Sequence, residues 1–359
     1  MSGVLGKLVA IQWLRATAAI AVVWFHALLL LQDHGIPSSQ GSLGGVGSIG
    51  AIGVDIFFVV SGFIISITAE RARSVQDFAL RRFVRVWPLY ALATFFYVIL
   101  VPSARGDLLD IAFSMAMFQP LASLSVSPVL PTGWTLLFEA FFYALVACAI
   151  AWKSARPLSE RVLMLLVGCV LFASTYGWFR PMNIWGNPIC LEFGLGVLIG
   201  CAWRKGVVLP HWAAVLIFSL SAVLIIKSAV DGHGYIWASD HILNGSLSWE
   251  RFRVWGIPAA LLVVSAALRQ PLPHGDGRLM QIFGDASYSI YLFHLHFLRW
   301  LGQHIDDFSV LDPDALVFVA TAGGVAVGVV AHYVLERPLL KAFGAFLTLR
   351  RNRTVAASE

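Results

Sequence analysis

The chain has 359 residues, of which 58% are hydrophobic and only 13% charged, with a mean hydropathy of +0.79. A soluble domain carries about a quarter charged residues, so this composition excludes an ordinary soluble enzyme and indicates a polytopic membrane protein. The net charge of +5 does not require a nucleic-acid partner, because excess Lys and Arg in a membrane protein sets topology.

Apolar runs predict ten membrane-spanning helices, over 8–31, 46–68, 86–102, 134–152, 162–180, 184–203, 212–230, 254–268, 282–301 and 315–335. The first begins after Lys7 like a signal peptide. Arg15 and His26 interrupt its apolar core and no small-x-small cleavage site follows, so a retained helix is expected. Residues 108–121 are apolar but short, flanked by Asp107, Asp110 and Pro120. If they do not span, Lys7, the arginines of 71–85, Lys153, Arg156, Arg161, Arg204, Lys205, Arg269, Arg278 and the basic residues of 337–353 all fall on one side. Asp231, Asp240, Glu250, Asp306, Asp307, Asp312 and Asp314 fall on the other. The positive-inside rule then puts both termini in the cytoplasm and leaves 108–121 re-entrant or interfacial. The expected fold is all-α, with a membrane domain over 1–345 and a basic cytoplasmic tail over 346–359.

Ionisable residues inside spans are functional candidates, since each is costly unless paired or hydrated. His26, Asp55, Glu139, Glu192 and His294 are expected in the outer half of the bilayer, as one polar cluster. Arg15 lies in the inner half. It precedes His26 by eleven residues, which places both on nearly one helix face about 16 Å apart. A His beside a carboxylate suits the removal of a proton from a hydroxyl; the plainer reading is a satisfied contact between helices. In RRFVRVWP (81–88), Arg82 and Arg85 share a face and suit phosphate, or only set topology. His294 and His296, two apart, point away from each other and do not predict a metal pair. GLGVLIG (194–200) reads as a helix-packing run. The four cysteines, Cys148, Cys169, Cys190 and Cys201, read as small buried hydrophobes, with neither a disulfide nor a metal site expected.

Taken together, these stretches resemble the membrane acyltransferase family 3. Arg15 and His26 match its Arg–ten residues–His signature, and GVDIFFVVSGFII (53–65) its second-helix motif with Asp55, Ser61 and Gly62. RRFVRVWP supplies its Arg-x-x-Arg motif. GWTLLFEAFFY (133–143) resembles its Trp-Thr-Leu-x-x-Glu motif with Trp134, Glu139 and Tyr143. GDASYSIYLFH (284–294) and ERP (336–338) match its closing motifs. Within the family, IQWLRATAAIAVVWFHA (11–27) and NPICLEFGLG (187–196) are most similar to the ExoZ-type exopolysaccharide acetyltransferases. The resemblance implies a bacterial inner-membrane enzyme that moves an acetyl group from cytoplasmic acetyl-CoA to a sugar hydroxyl, with no metal. The acceptor is then a carbohydrate, free or lipid-linked, supplied by polysaccharide synthesis machinery. It implies His26, Asp55, Glu139 and Arg15 as catalytic, and Arg82, Arg85, Arg15, Ser61 and Tyr288 as donor-binding. Trp134, Tyr143, Glu192 and His294 are implied on the acceptor. Some relatives append an extracytoplasmic esterase-like domain after the last helix, which is not expected here. Two other readings fit the same residues: a transporter of an acyl donor or lipid-linked sugar, and an acyltransferase acting on a lipid, peptide or small metabolite. The transporter lacks support from any inverted repeat.

Overall fold

The structure, a computed structural model, describes residues 2–40, 44–101, 107–117, 127–176, 182–270 and 278–345. Among the described residues the chain is helical and no strand forms; Leu209 and Arg269 make an isolated bridge. The principal helices are α1 (Ser2–Asp33), α2 (Gly53–Thr68), α3 (Val75–Leu100), α4 (Leu108–Ala116), α5 (Trp134–Ala151) and α6 (Leu158–Tyr176). They continue with α7 (Leu191–Arg204), α8 (His211–Val230), α9 (Ile257–Ala267), α10 (Arg278–Gln303) and α11 (Pro313–Ala331). π-helical turns over Phe252–Gly256 and His332–Glu336 flank α9 and α11.

Eight helices among the described residues are long and apolar enough to cross a membrane. They coincide with eight of the ten predicted spans. The other two, 254–268 and 282–301, are helical in and around α9 and α10, but polar groups mark them: Glu250, Arg251 and Arg253 just ahead of the first, Asp285, His294 and Arg299 within the second. The expectation of ten spans therefore rests on eight by length and composition. α3 starts well before the predicted 86, because Ser74 caps it by accepting from the Asp77 amide at 3.1 Å and Arg81 pairs with Asp77 at 2.9 Å. Arg82 and Arg85 thus sit inside the helix rather than ahead of it. α4, at nine residues, is about 14 Å long, too short for the roughly 30 Å bilayer core. It ends in a left-handed turn at Met117, and residues 118–121 of the predicted segment lie outside the described residues. So does the predicted tail, 346–359. Cys190 is buried as expected, whereas Cys148 is exposed.

Close glycine contacts set the helix directions. Gly284 of α10 abuts Gln12 of α1, and Gly302 abuts Leu30 and His34, so α1 and α10 run parallel. Gly324 and Gly328 of α11 meet His294 and Ile290 in the opposite sense. A Cβ on Gly196 would collide with the Val59 carbonyl, and one on Gly200 with Ser66, so the GLGVLIG run seats α7 against α2 as its composition predicts. Packing of this kind, with the Phe142–Phe193 stack at 4.5 Å, holds the bundle together where lipid gives no hydrophobic drive between helices.

Candidate active site

The parallel course of α1 and α10 lays two polar stripes side by side. Asp285, Tyr288, Tyr291 and His294 recur every three residues on α10, so each neighbours the next along a stripe that winds half way around the helix. At one end Gln12 donates to Asp285 at 2.6 Å and accepts from Arg15 at 3.1 Å. At the other end His294 meets His26 at 3.4 Å. Between them the bundle holds two cavities.

The first encloses about 930 Å³ of empty space, part of it open to solvent, within the range of small-molecule sites. Arg15, Arg82 and Arg85 line it, with Ser61, Glu139, Tyr143, Ser287 and Tyr288. Arg82 donates to the Thr68 hydroxyl at 2.8 Å and lies over the Phe78 and Tyr143 rings, while its Nε is buried with no partner among the described residues. Arg85 pairs with Glu336 at 3.2 Å, and Glu336 also accepts from Ser289 at 2.6 Å and contacts His332 at 2.7 Å. Glu139 accepts from Ser61 at 3.1 Å and from Tyr143 through the same oxygen. Tyr288 donates to the Val86 carbonyl at 2.9 Å, tying α10 to α3. Three guanidinium groups, with Arg85 paired to Glu336, outnumber the Glu139 carboxyl in the lining and make a chamber suited to an anionic, phosphate-bearing molecule.

The second cavity holds about 500 Å³ and is lined by His26, Phe25, Thr132, Trp134, Trp237, Ser239 and Arg251. Val54 and Tyr291 line both cavities and form the partition between them. The Tyr291 hydroxyl is held by the Thr132 carbonyl at 3.1 Å and by Thr135 at 2.9 Å.

The hydrogen bonds around His26 settle its tautomer. Its Nδ1 lies 2.9 Å from the Val22 carbonyl, which only accepts, so Nδ1 carries the proton. The same argument protonates His294 Nδ1, which faces the Ile290 carbonyl at 3.0 Å. The unprotonated His294 Nε2, 3.4 Å from His26 Nδ1, then takes only a lesser share of the one proton that Nδ1 gives to the Val22 carbonyl. His26 Nε2 keeps its lone pair and has no partner among the described residues. His296 turns away to the Ala93 carbonyl on α3.

A family model described as "Acyltransferase domain", of acyltransferase family 3, matches residues 8–335. The chain belongs to this acyltransferase family. It is 31% identical to the exopolysaccharide production protein ExoZ of Rhizobium meliloti over 80% of this chain and 89% of that protein. It is 25% identical to nodulation protein 10 of Rhizobium leguminosarum over 80% of this chain and 82% of that one. It is also 25% identical to the peptidoglycan O-acetyltransferase OatA of Listeria monocytogenes, over 79% of this chain and 48% of that protein. No solved structure matches. The protein is a multi-pass membrane acyltransferase.

The acyltransferase does not gather its polar residues into the single cluster expected. Asp55 does not face His26. It forms a two-pronged ion pair with Arg251, both bonds 2.9 Å, and both side chains are fully buried. Asp55 lies in the first turn of α2, against the start of the helix leading to α9, and a buried carboxylate needs a counter-charge within reach. Glu192 sits beside this pair, buried, with neither carboxyl oxygen bonded among the described residues, and it lines neither cavity. Glu139 and Tyr143 stand in the arginine cavity, away from His26, since α5 carries them a full turn or more past Trp134. Arg15, Ser61, Arg82, Arg85 and Tyr288 do converge there, and Trp134 does line the cavity of His26. Sequence reasoning missed Arg251, Tyr291 and the pairing role of Glu336. The only signal for Arg251 was the unpaired Asp55, which demands a cation somewhere in the bundle.

Proposed function

We propose that this acyltransferase moves an acetyl group from acetyl-CoA to a hydroxyl of an exopolysaccharide or related glycan, across a bacterial inner membrane with both termini cytoplasmic. The observation that carries this reading is the pair of cavities back to back across Val54 and Tyr291, one lined by arginines and the other by a histidine with a free lone pair. The nucleotide phosphates of the donor pair with Arg82 and Arg85, and the narrow pantetheine arm passes Arg15 toward the partition. His26 Nε2 takes the proton as the sugar oxygen attacks the thioester carbonyl; the carbon–sulfur bond breaks and the proton passes to the departing thiolate. In the alternative order Nε2 attacks the thioester carbonyl, the carbon–sulfur bond breaks and the thiolate leaves; the sugar oxygen then attacks the acetyl carbon, the bond to Nε2 breaks, and the hydroxyl proton passes to the freed Nε2. The Val22 carbonyl, with His294 beside it, holds Nδ1 and so orients His26. The similarity to a protein of exopolysaccharide production and to a peptidoglycan O-acetyltransferase supports a glycan acceptor.

Purified protein given labelled acetyl-CoA and alkali-deacetylated exopolysaccharide from the producing bacterium is expected to form labelled ester. A transporter forms none. The Arg82→Ala variant is expected to raise the KM for acetyl-CoA by about 10- to 100-fold, as loss of a charge-assisted contact does. An unaltered donor KM in that variant removes the arginine cavity as the donor site.

A further inference from the structure

The histidine cavity has a wall that no motif accounts for. Trp237 and Ser239, from the connection between α8 and α9, line it together with His26. Trp237 and Phe25 pack in a T-shaped pair, at 5.4 Å between centroids, yet 37% of Trp237 stays exposed. The indole is therefore part of the cavity wall while more than a third of it stays exposed. The turn that carries it is braced at three points. Ile236 is fully buried, and its carbonyl accepts from Arg251 at 3.3 Å. His233 and Tyr235 both bond the same Glu250 oxygen, at 2.7 and 2.5 Å. Because Arg251 is also the partner of Asp55, the buried ion pair holds this turn over the cavity.

We infer that His233–Trp237 with Ser239 is a sugar-binding subsite, in which the Trp237 indole stacks on one pyranose ring of the acceptor and Ser239 bonds a ring hydroxyl. A sugar ring presents an aliphatic C–H face and a rim of hydroxyls. A flat, preorganised aromatic surface takes the first and a nearby hydroxyl the second, with little ordering cost on binding. An indole that only anchored the chain at the bilayer surface would have no reason to line the cavity of His26. The inference rests on the reading of that cavity as the acceptor's, and it supplies the binding surface that reading lacks.

The test uses the same purified protein, acetyl-CoA and alkali-deacetylated exopolysaccharide. Trp237→Ala is expected to raise the KM for the polysaccharide about tenfold, with the KM for acetyl-CoA unchanged. Trp237→Phe is expected to restore most of the loss, which a damaged fold would not allow. Ester formation with an unchanged polysaccharide KM in Trp237→Ala overturns the subsite alone. A wild-type protein that forms no ester overturns the acyl-transfer reading and the subsite with it.

Discussion

His26→Ala is expected to lower acetyl transfer by about 10²–10⁴-fold, the usual contribution of a positioned general base. The loss should fall on kcat, while the KM for acetyl-CoA holds, because His26 lines the cavity opposite the arginines. The same variant separates the two chemical orders. If His26 carries the acetyl group, wild-type protein quenched after exposure to labelled acetyl-CoA without acceptor retains label, and His26→Ala retains none. If His26 only takes the proton, neither holds label. Transfer at a near-normal rate in a well-expressed His26→Ala protein would remove His26 from the chemistry in both orders. His294→Ala should cost less, since the Val22 carbonyl still holds His26 Nδ1.

The other large effect is on stability. Asp55→Ala should destabilise the protein by about 3–5 kcal/mol, because it takes from the buried Arg251 guanidinium its two-pronged partner and leaves only the unbonded Glu192 carboxyl nearby. Removing both charges, as Asp55→Ala with Arg251→Met, should recover much of this, since a buried ion pair gains little over apolar packing. Thermal unfolding in detergent measures both variants. A double variant as unstable as Asp55→Ala would show that the pair is not the source of the cost. The double variant should still bind the polysaccharide poorly, because the Ile236 carbonyl loses its donor and the turn bearing Trp237 loosens.

The helical architecture was legible because lipid exposure leaves long apolar runs, and the ends of those runs were legible where charge begins. Legibility failed where the tertiary fold lets polar residues into a helix. α10 carries Asp285, His294 and Arg299 and so fails a composition test, although its polar stripe is what lines the site. α3 fails in the other direction, since a Ser74 cap and an Arg81–Asp77 pair extend it through residues that read as a cytoplasmic loop.

The candidate site divides in the same way. Arg15 and His26 were placed on one face by helical periodicity alone, because eleven residues is close to three full turns. Arg82 and Arg85 were matched for the same local reason. Which of those groups meet was decided only by how the helices pack. Asp55 and Arg251 are 196 residues apart, and no periodicity joins them. A carboxylate in an apolar span announces a partner without naming it, since any cation in the bundle satisfies the charge. Glycine contacts bring α1 and α10 together in parallel, and that register sets His294 on His26 and Tyr291 between the cavities. The residue types with their local spacing were thus the sequence's own contribution. The division into an arginine cavity and a histidine cavity came from tertiary packing, because distance across a bundle depends on which helices touch and in which direction they run.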